Sequence, residues 1–308
     1  MNRPTNNRAF RIAIPILVLA FLWLFAACAC EKRQEALPVE KDRLRIVSTL
    51  PSLTEICFAL GLGDSLVGVS DFCNYPPEAK SIPRIGGVVN PDFERVTALR
   101  PDFILMQESD KTLLKKYREL GFDILIVKNR TVEDVLVSIV TIGNKTGKDK
   151  QARELVEKMG RELNEIRAKA ADRKPVRTLL VIGHEPGSLR EIYVAGSGSF
   201  HNELLRIAGG VNCFSDSVIP YPKISKEEIL KQSPQAIIVL SADAGMKTQA
   251  KQSEQRLWKE LDYIEAVKKN AVTLLNGNYL FIPGPRMPQI AKEIQQLLFS
   301  DKGDSDAQ

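Results

Sequence analysis

The sequence predicts an α/β protein with two similar lobes of mostly parallel sheet, joined by one long backbone helix, and a ligand cleft between the lobes. Short β-rich runs alternate with helically spaced segments in both halves, as in parallel sheets covered on both faces. Residues 93–106 (FERVTALRPDFILM) align without a gap on 226–239 (KEEILKQSPQAIIV), setting Pro101 against Pro234 and Glu94 against Glu227. Between these copies, about 130 residues apart, runs an uninterrupted helical pattern.

Taken in order, the chain opens with Arg3, Arg8 and Arg11 and then 16 uncharged residues, 12–27. That run is short for a membrane span and suits the apolar core of an export signal, so residues 1–27 are expected to be a signal peptide. It ends in Phe25-Ala26-Ala27-Cys28, small residues before a cysteine as in a bacterial lipoprotein signal. Cys28 is the expected lipidation site and Cys30 a second candidate; an ordinary secretory signal or an uncleaved anchor are the alternatives. Residues 28–43, polar and mixed in charge, read as a flexible tether. The expected location is the periplasm or the outer face of the cytoplasmic membrane, with a lipid anchor.

The first lobe is expected over 44–147, with strands at 45–49, 66–70, 103–106 and 124–127. Helices are expected at 54–60, 93–99 and 111–120. Residues 148–171 contain no proline, and Ala152, Leu155, Val156, Met159, Leu163 and Ile166 recur at helical spacing. Glu154/Lys158, Glu157/Arg161 and Glu165/Lys169 lie at i,i+4, each contributing about 0.3 kcal/mol on an exposed face. As one helix this segment would run about 36 Å, enough to cross two lobes; the alternative is packing within one lobe. The second lobe is expected over 172–300, with strands at 178–182, 193–195, 236–240, 272–275 and 279–282 and a closing helix at 288–299. Residues 301–308 read as a disordered tail.

The 308 residues carry a formal charge of +5, of which the signal supplies three arginines and no acid, leaving +2. With two tryptophans and no basic block interleaved with aromatics, nothing resembles a nucleic-acid surface. Cys57, Cys73 and Cys213 match no zinc or haem attachment spacing. An odd number cannot all pair within the chain, so a Cys57–Cys73 bridge and buried free thiols both stay open.

Residues 45–79 (RIVSTLPSLTEICFALGLGDSLVGVSDFCNYPPEA), followed by IPRIGGVVNPDFERVTALRPDFIL, resemble the solute-binding proteins of ABC importers with a helical backbone (class III), over essentially 45–298. Members of that family carry vitamin B12-type corrinoids, ferric siderophores or haem. The resemblance implies that Glu94 and Glu227 dock with the two subunits of an ABC permease served by an ATPase. Without it, each glutamate is a helix-start carboxylate favoured by the dipole. It also implies a monomer whose cargo is a metal chelate, with no resident cofactor or metal.

Ligands of open α/β sheets bind where strand ends face a crevice. By that rule Pro51, Ser52, Phe72, Val88, Val89 and Met106 are the first-lobe candidates. His184, Tyr193, the 196–199 loop, Tyr221 and Arg286 are those of the second. Where corrinoid-binding members present tryptophans this chain has Val88, Met106 and Tyr221, and where they have a tyrosine it has Phe72, which weakens the aromatic clamp on a flat macrocycle. His184 in VIGHEPG reads either as a ligand contact or as a satisfied loop residue, and His201 in SFHNELL as structural. Arg286 either meets an acidic cargo group or caps carbonyls. One rival is an exported receptor that signals to a membrane partner and shares every feature above except the permease; the other is a hydrolase using Ser52, His184 and Asp71. No nucleophile elbow, HExxH or dinucleotide fingerprint supports it, so no enzyme is expected.

Overall fold

The computed structural model describes residues 43–108, 111–243, 245 and 248–299. The expected signal peptide, Cys28, Cys30, the tether short of Arg43 and the 301–308 tail lie outside these residues. The elements below all belong to the compact unit that begins at Leu44.

The first lobe runs β1 (Ile46–Ser48), α1 (Pro51–Ala59), β2 (Leu66–Val69), α2 (Phe93–Ala98), β3 (Phe103–Gln107), α3 (Lys111–Glu119) and β4 (Ile124–Val127). Its four strands are parallel in the order β2-β1-β3-β4. Two helices follow, α4 (Val132–Thr146) and α5 (Asp149–Ala171). The second lobe contains β5 (Val176–Gly183), β6 (Ile192–Val194), α6 (Phe200–Ile207), β7 (Gly210–Asn212), β8 (Lys223–Ile224) and α7 (Lys226–Gln232). It continues with β9 (Ala236–Ser241), α8 (Thr248–Leu257), α9 (Glu265–Lys268), β10 (Val272–Asn276) and α10 (Met287–Phe299). Here the order is β10-β9-β5-β6-β8, with β7 also paired to β5; β6 runs antiparallel to β5 and β8 and the other pairs are parallel.

The repeat seen in sequence extends to backbone detail. Asp92 caps α2 by accepting from the Arg95 N–H, and Ser225 caps α7 by accepting from the Glu228 N–H. After each helix the chain passes through a residue with φ of 45°, Arg100 and Ser233, immediately before the matched prolines. The Arg45 guanidinium donates to the Leu99 carbonyl while its N–H donates to the Asp102 carboxylate. Arg177 does the same toward the Gln232 carbonyl and the Gln235 side chain. The two strand–helix joints are copies, although few of the residues forming them are identical.

The 23-residue α5 spans about 34 Å at 1.5 Å per residue. Its buried Met159, Leu163 and Ile166 share one apolar core with Leu53 and Ile139 of the first lobe and Leu204 and Ile290 of the second. This is the strut across both lobes, not a helix confined to one. Of the expected surface pairs only Glu157/Arg161 forms; Glu154 turns to Lys150 and Lys158 to Glu162, with all of these side chains well exposed. Exposed pairs of this kind exchange partners at little cost.

Two expectations need correction. Residues 279–282 form no strand: the chain turns at Gly277 (φ 154°) into a 3-10 turn, Asn278–Phe281, closed by Leu280 N–H to Gly277 and Ile282 N–H to Tyr279. β10 already ends the sheet, so the backbone donors of this segment are satisfied locally. Helix α4 is not among those picked out by spacing, yet it carries a full capping box between Thr131 and Asp134 and a left-handed Gly147 at its end. Cys57, Cys73 and Cys213 are free, buried thiols. Burial pushes Cys57 up to about 12 and Cys213 up to about 11, which makes both inert.

Candidate functional site

In the first sheet the strand order reverses between β1 and β3, which opens a crevice at their carboxyl ends. A cavity of about 290 Å³ lies there, walled on the first-lobe side by Leu50, Pro51 and Ser52 after β1, Gln107 at the end of β3, and Asn129 and Arg130 after β4. The second lobe closes it with Gly198 and Phe200 at the start of α6, Pro220 and Tyr221 before β8, Phe281 at the end of the 3-10 turn, and Ile282 and Pro283 just after it. The wall is thus mostly apolar and aromatic. A second space of about 580 Å³ shares Gln107, Arg130 and Gly198 with it, so the two are parts of one cleft.

Buried polar groups fix that wall. Asn129 donates to the Ser52 hydroxyl at 2.9 Å, locking the loops after β1 and β4 together. Ser199 accepts from the Asn202 N–H and donates to the Gly196 carbonyl, which sets the turn that places Gly198 and Phe200. His201, beneath the wall, contacts the Tyr221 hydroxyl at 3.0 Å and the Leu280 carbonyl at 2.8 Å. Burial lowers its pKa to about 4, so the ring is neutral at ordinary pH.

Of the expected contacts, Pro51, Ser52 and Tyr221 line the cleft and Gly198 represents the 196–199 loop. Met106 does not: it is buried with Val47, Ile85, Val96 and Tyr117 on the other face of the sheet, and strand alternation gives its place to Gln107. Phe72, Val88 and Val89 lie outside both cavities, Phe72 and Val89 being 60% and 77% exposed. They follow β2, an edge strand away from the point of reversal.

Tyr193 also lies outside, because β6 runs antiparallel and the rule for parallel strand ends does not carry over. His184 is engaged at both nitrogens, by the Glu185 carbonyl at 2.9 Å and Glu254 at 2.6 Å; its hydrogen bond to Glu254 raises its pKa. Arg286 is held by Glu55 through two hydrogen bonds, 2.8 and 2.5 Å, with its guanidinium 4.0 Å from the Tyr75 ring centre. Neither side chain is free for a ligand. The imagined hydrolytic grouping fails on the same facts, since Glu254 claims His184 and Asn129 claims Ser52.

Sequence reasoning overlooked Gln107, Asn129, Arg130, Phe200 and the 281–283 segment. Extending the strand-end rule to β4 would have found Asn129 and Arg130. Phe200 and Phe281 left no local signal, because a helix start and a 3-10 turn, not strand ends, bring them to the wall. Glu94 and Glu227 are exposed at the second position of α2 and α7, each two residues past its cap. The Glu227 carboxyl is held low by its own backbone N–H and by Ser225.

The sequence profile of the family described as periplasmic binding protein matches residues 46–279. The chain belongs to the periplasmic binding protein family. A vitamin B12-binding protein of Vibrio cholerae serotype O1 is 29% identical over 255 residues, covering 81% of this chain and 87% of the relative. The uncharacterized ABC transporter substrate-binding lipoprotein YvrC of Bacillus subtilis is 30% identical over 271 residues, covering 85% and 82%. The crystal structure of the periplasmic vitamin B12 binding protein BtuF of Vibrio cholerae aligns with a TM-score of 0.70 at 28% identity, over 82% of this chain and 96% of that one. The periplasmic haem binding protein HutB of the same organism aligns with a TM-score of 0.73 at 25% identity, over 83% and 99%. This periplasmic binding protein is of the ABC-importer type, extracytoplasmic, and a substrate-binding protein, not an enzyme. Among the described residues no helix is long and apolar enough to cross a membrane.

Proposed function

We propose that this protein captures a bulky, partly apolar metal chelate of the vitamin B12 (cobalamin) type between its lobes and delivers it to an ABC importer. The observation that carries this is the open interlobe cleft with its apolar and aromatic wall, in a chain that resembles a vitamin B12-binding protein over most of its length. Haem is the second reading, favoured by the likeness to HutB; a ferric siderophore is the third. Delivery uses Glu94 and Glu227, one on each repeated helix, as contacts for the two permease subunits, with an ATPase behind them. A symmetric pair of exposed carboxylates suits a two-subunit partner, steering encounter more than adding affinity. The protein works as a monomer held to the membrane through Cys28, a role supported by the lipoprotein relative in Bacillus subtilis.

Calorimetric or absorbance titration with cobalamin, cobinamide, haem and ferric siderophores tests the cargo. Saturable binding of a corrinoid is expected; binding of haem alone would transfer the assignment to haem, and binding of none would remove it. For the anchor, Cys28→Ala is expected to release the protein from the membrane fraction, and unchanged fractionation without lipid mass would discard it.

A further inference from the structure

The cleft has two chemically different ends. One is the apolar wall around Phe200, Tyr221 and Phe281. The other, the larger space of about 580 Å³, is lined by Lys111, Lys128 and Arg130 together with Glu108 and Asp134. Of the two acids there, Asp134 is held in a helix cap and Glu108 faces a lysine. Asp134 accepts from the Arg130 and Thr131 N–H groups at 3.1 and 3.2 Å within the cap of α4. Glu108 pairs with Lys128 at 3.6 Å. Among the described residues nothing engages the Arg130 guanidinium or the Lys111 ammonium, and Arg130 borders both ends of the cleft. The first turn of the 15-residue α4 is already offset by Glu133, Asp134 and Glu203, so the positive charge at this end comes from the side chains of Arg130, Lys111 and Lys128. The larger end is therefore a cationic space continuous with an apolar one.

We propose that the cargo carries an acidic oxygen group, a carboxylate or phosphate, which reaches from the apolar end to Arg130 and Lys111. A guanidinium binds such a group through two parallel charge-assisted hydrogen bonds, whereas an amide periphery offers only a neutral acceptor and an alkyl one none. This rests on the chelate-binding reading of the cleft and narrows it to chelates with an acidic arm.

Two matched pairs of probes differ only in that arm: cobinamide phosphate against cobinamide, and haem against haem dimethyl ester. Titrated into the whole exported protein, the acidic member of at least one pair is expected to bind about tenfold more tightly, the difference shrinking at high salt. In Arg130→Gln with Lys111→Gln the preference should fall to about one, and Arg130→Lys should restore part of it. The phosphate and carboxylate arms separate the two sources of the charge. Equal affinity within each pair for the wild-type protein would overturn this inference and leave the chelate reading standing. An acidic preference that survives the double substitution would overturn the assignment to Arg130 and Lys111. If no member of either pair binds, the corrinoid and haem readings fall, and this inference falls with them.

Discussion

Of the two histidines, only His201 supports the cleft wall. His184, after a strand, is tied by Glu254 away from the cleft, whereas His201, placed by sequence in a helix start, sits 2% exposed under the cleft wall. The Leu280 carbonyl can only accept, so the Nε2–H of His201 points to it and Nδ1 accepts from the Tyr221 hydroxyl. One neutral ring thus orients Tyr221 and pins the 3-10 turn that carries Phe281. His201→Leu leaves the Tyr221 hydroxyl and the Leu280 carbonyl without partners. A loss of about 1–3 kcal/mol in urea melts is expected, with weaker ligand binding. A pH effect follows from the lowered pKa. Between 6.5 and about 4 the unfolded chain binds a proton here that the folded chain refuses, so stability falls as pH drops through that window. Comparing melts at pH 7 and pH 5, the wild type should lose about 2 kcal/mol more than His201→Gln. Equal losses would show that this ring is not the source.

At the scale of elements, the strands were legible because buried parallel strands are short apolar runs set apart by turn residues, as Phe103–Gln107 and Ala236–Ser241 are. The repeat was legible for a related reason: its prolines and glutamates occupy positions where backbone geometry restricts the choice. Residues 279–282 misled because Tyr-Leu-Phe-Ile has strand composition, and only the missing sheet neighbour tells against it. The cleft wall was half legible, since the strand-end rule locates Pro51 and Ser52 but says nothing of irregular segments such as that carrying Pro283. Equivalent caps should respond equivalently, so Asp92→Ala and Ser225→Ala are each expected to cost about 1 kcal/mol in chemical denaturation. The proposed docking role attaches to the same helices. Glu94→Arg with Glu227→Arg should abolish uptake while ligand affinity stays within about twofold, because both carboxylates are exposed and outside the cleft. Intact uptake by the double variant would reject docking at these positions.

For the whole molecule, α5 packs against both lobes, and two further contacts tie elements of one lobe to those of the other. The Val132 N–H, an otherwise unpartnered donor of the first turn of α4, donates to Glu203 of α6 at 2.7 Å. Across the fold, Glu55 of α1 and Arg286 before α10 form the two-pronged pair, with their side chains only 3% and 15% exposed. Desolvation raises the Glu55 pKa in spite of the arginine, so the pair strains against its own burial. A buried ion pair adds little net stability over apolar residues of similar volume, whereas removing one partner strands a charge. Arg286→Met is therefore expected to cost about 3–5 kcal/mol, and Glu55→Leu with Arg286→Met to recover most of that loss in the same urea melts. If the pair serves chiefly to hold the lobes at one spacing, the stable double variant should still bind its cargo more weakly, since Gly284, two residues before Arg286, faces Ser52 at the edge of the cleft, where a β-carbon on the glycine would lie 3.7 Å from the Ser52 carbonyl oxygen. Wild-type affinity in a double variant of wild-type stability would show that α5 and the shared core set the cleft without this pair.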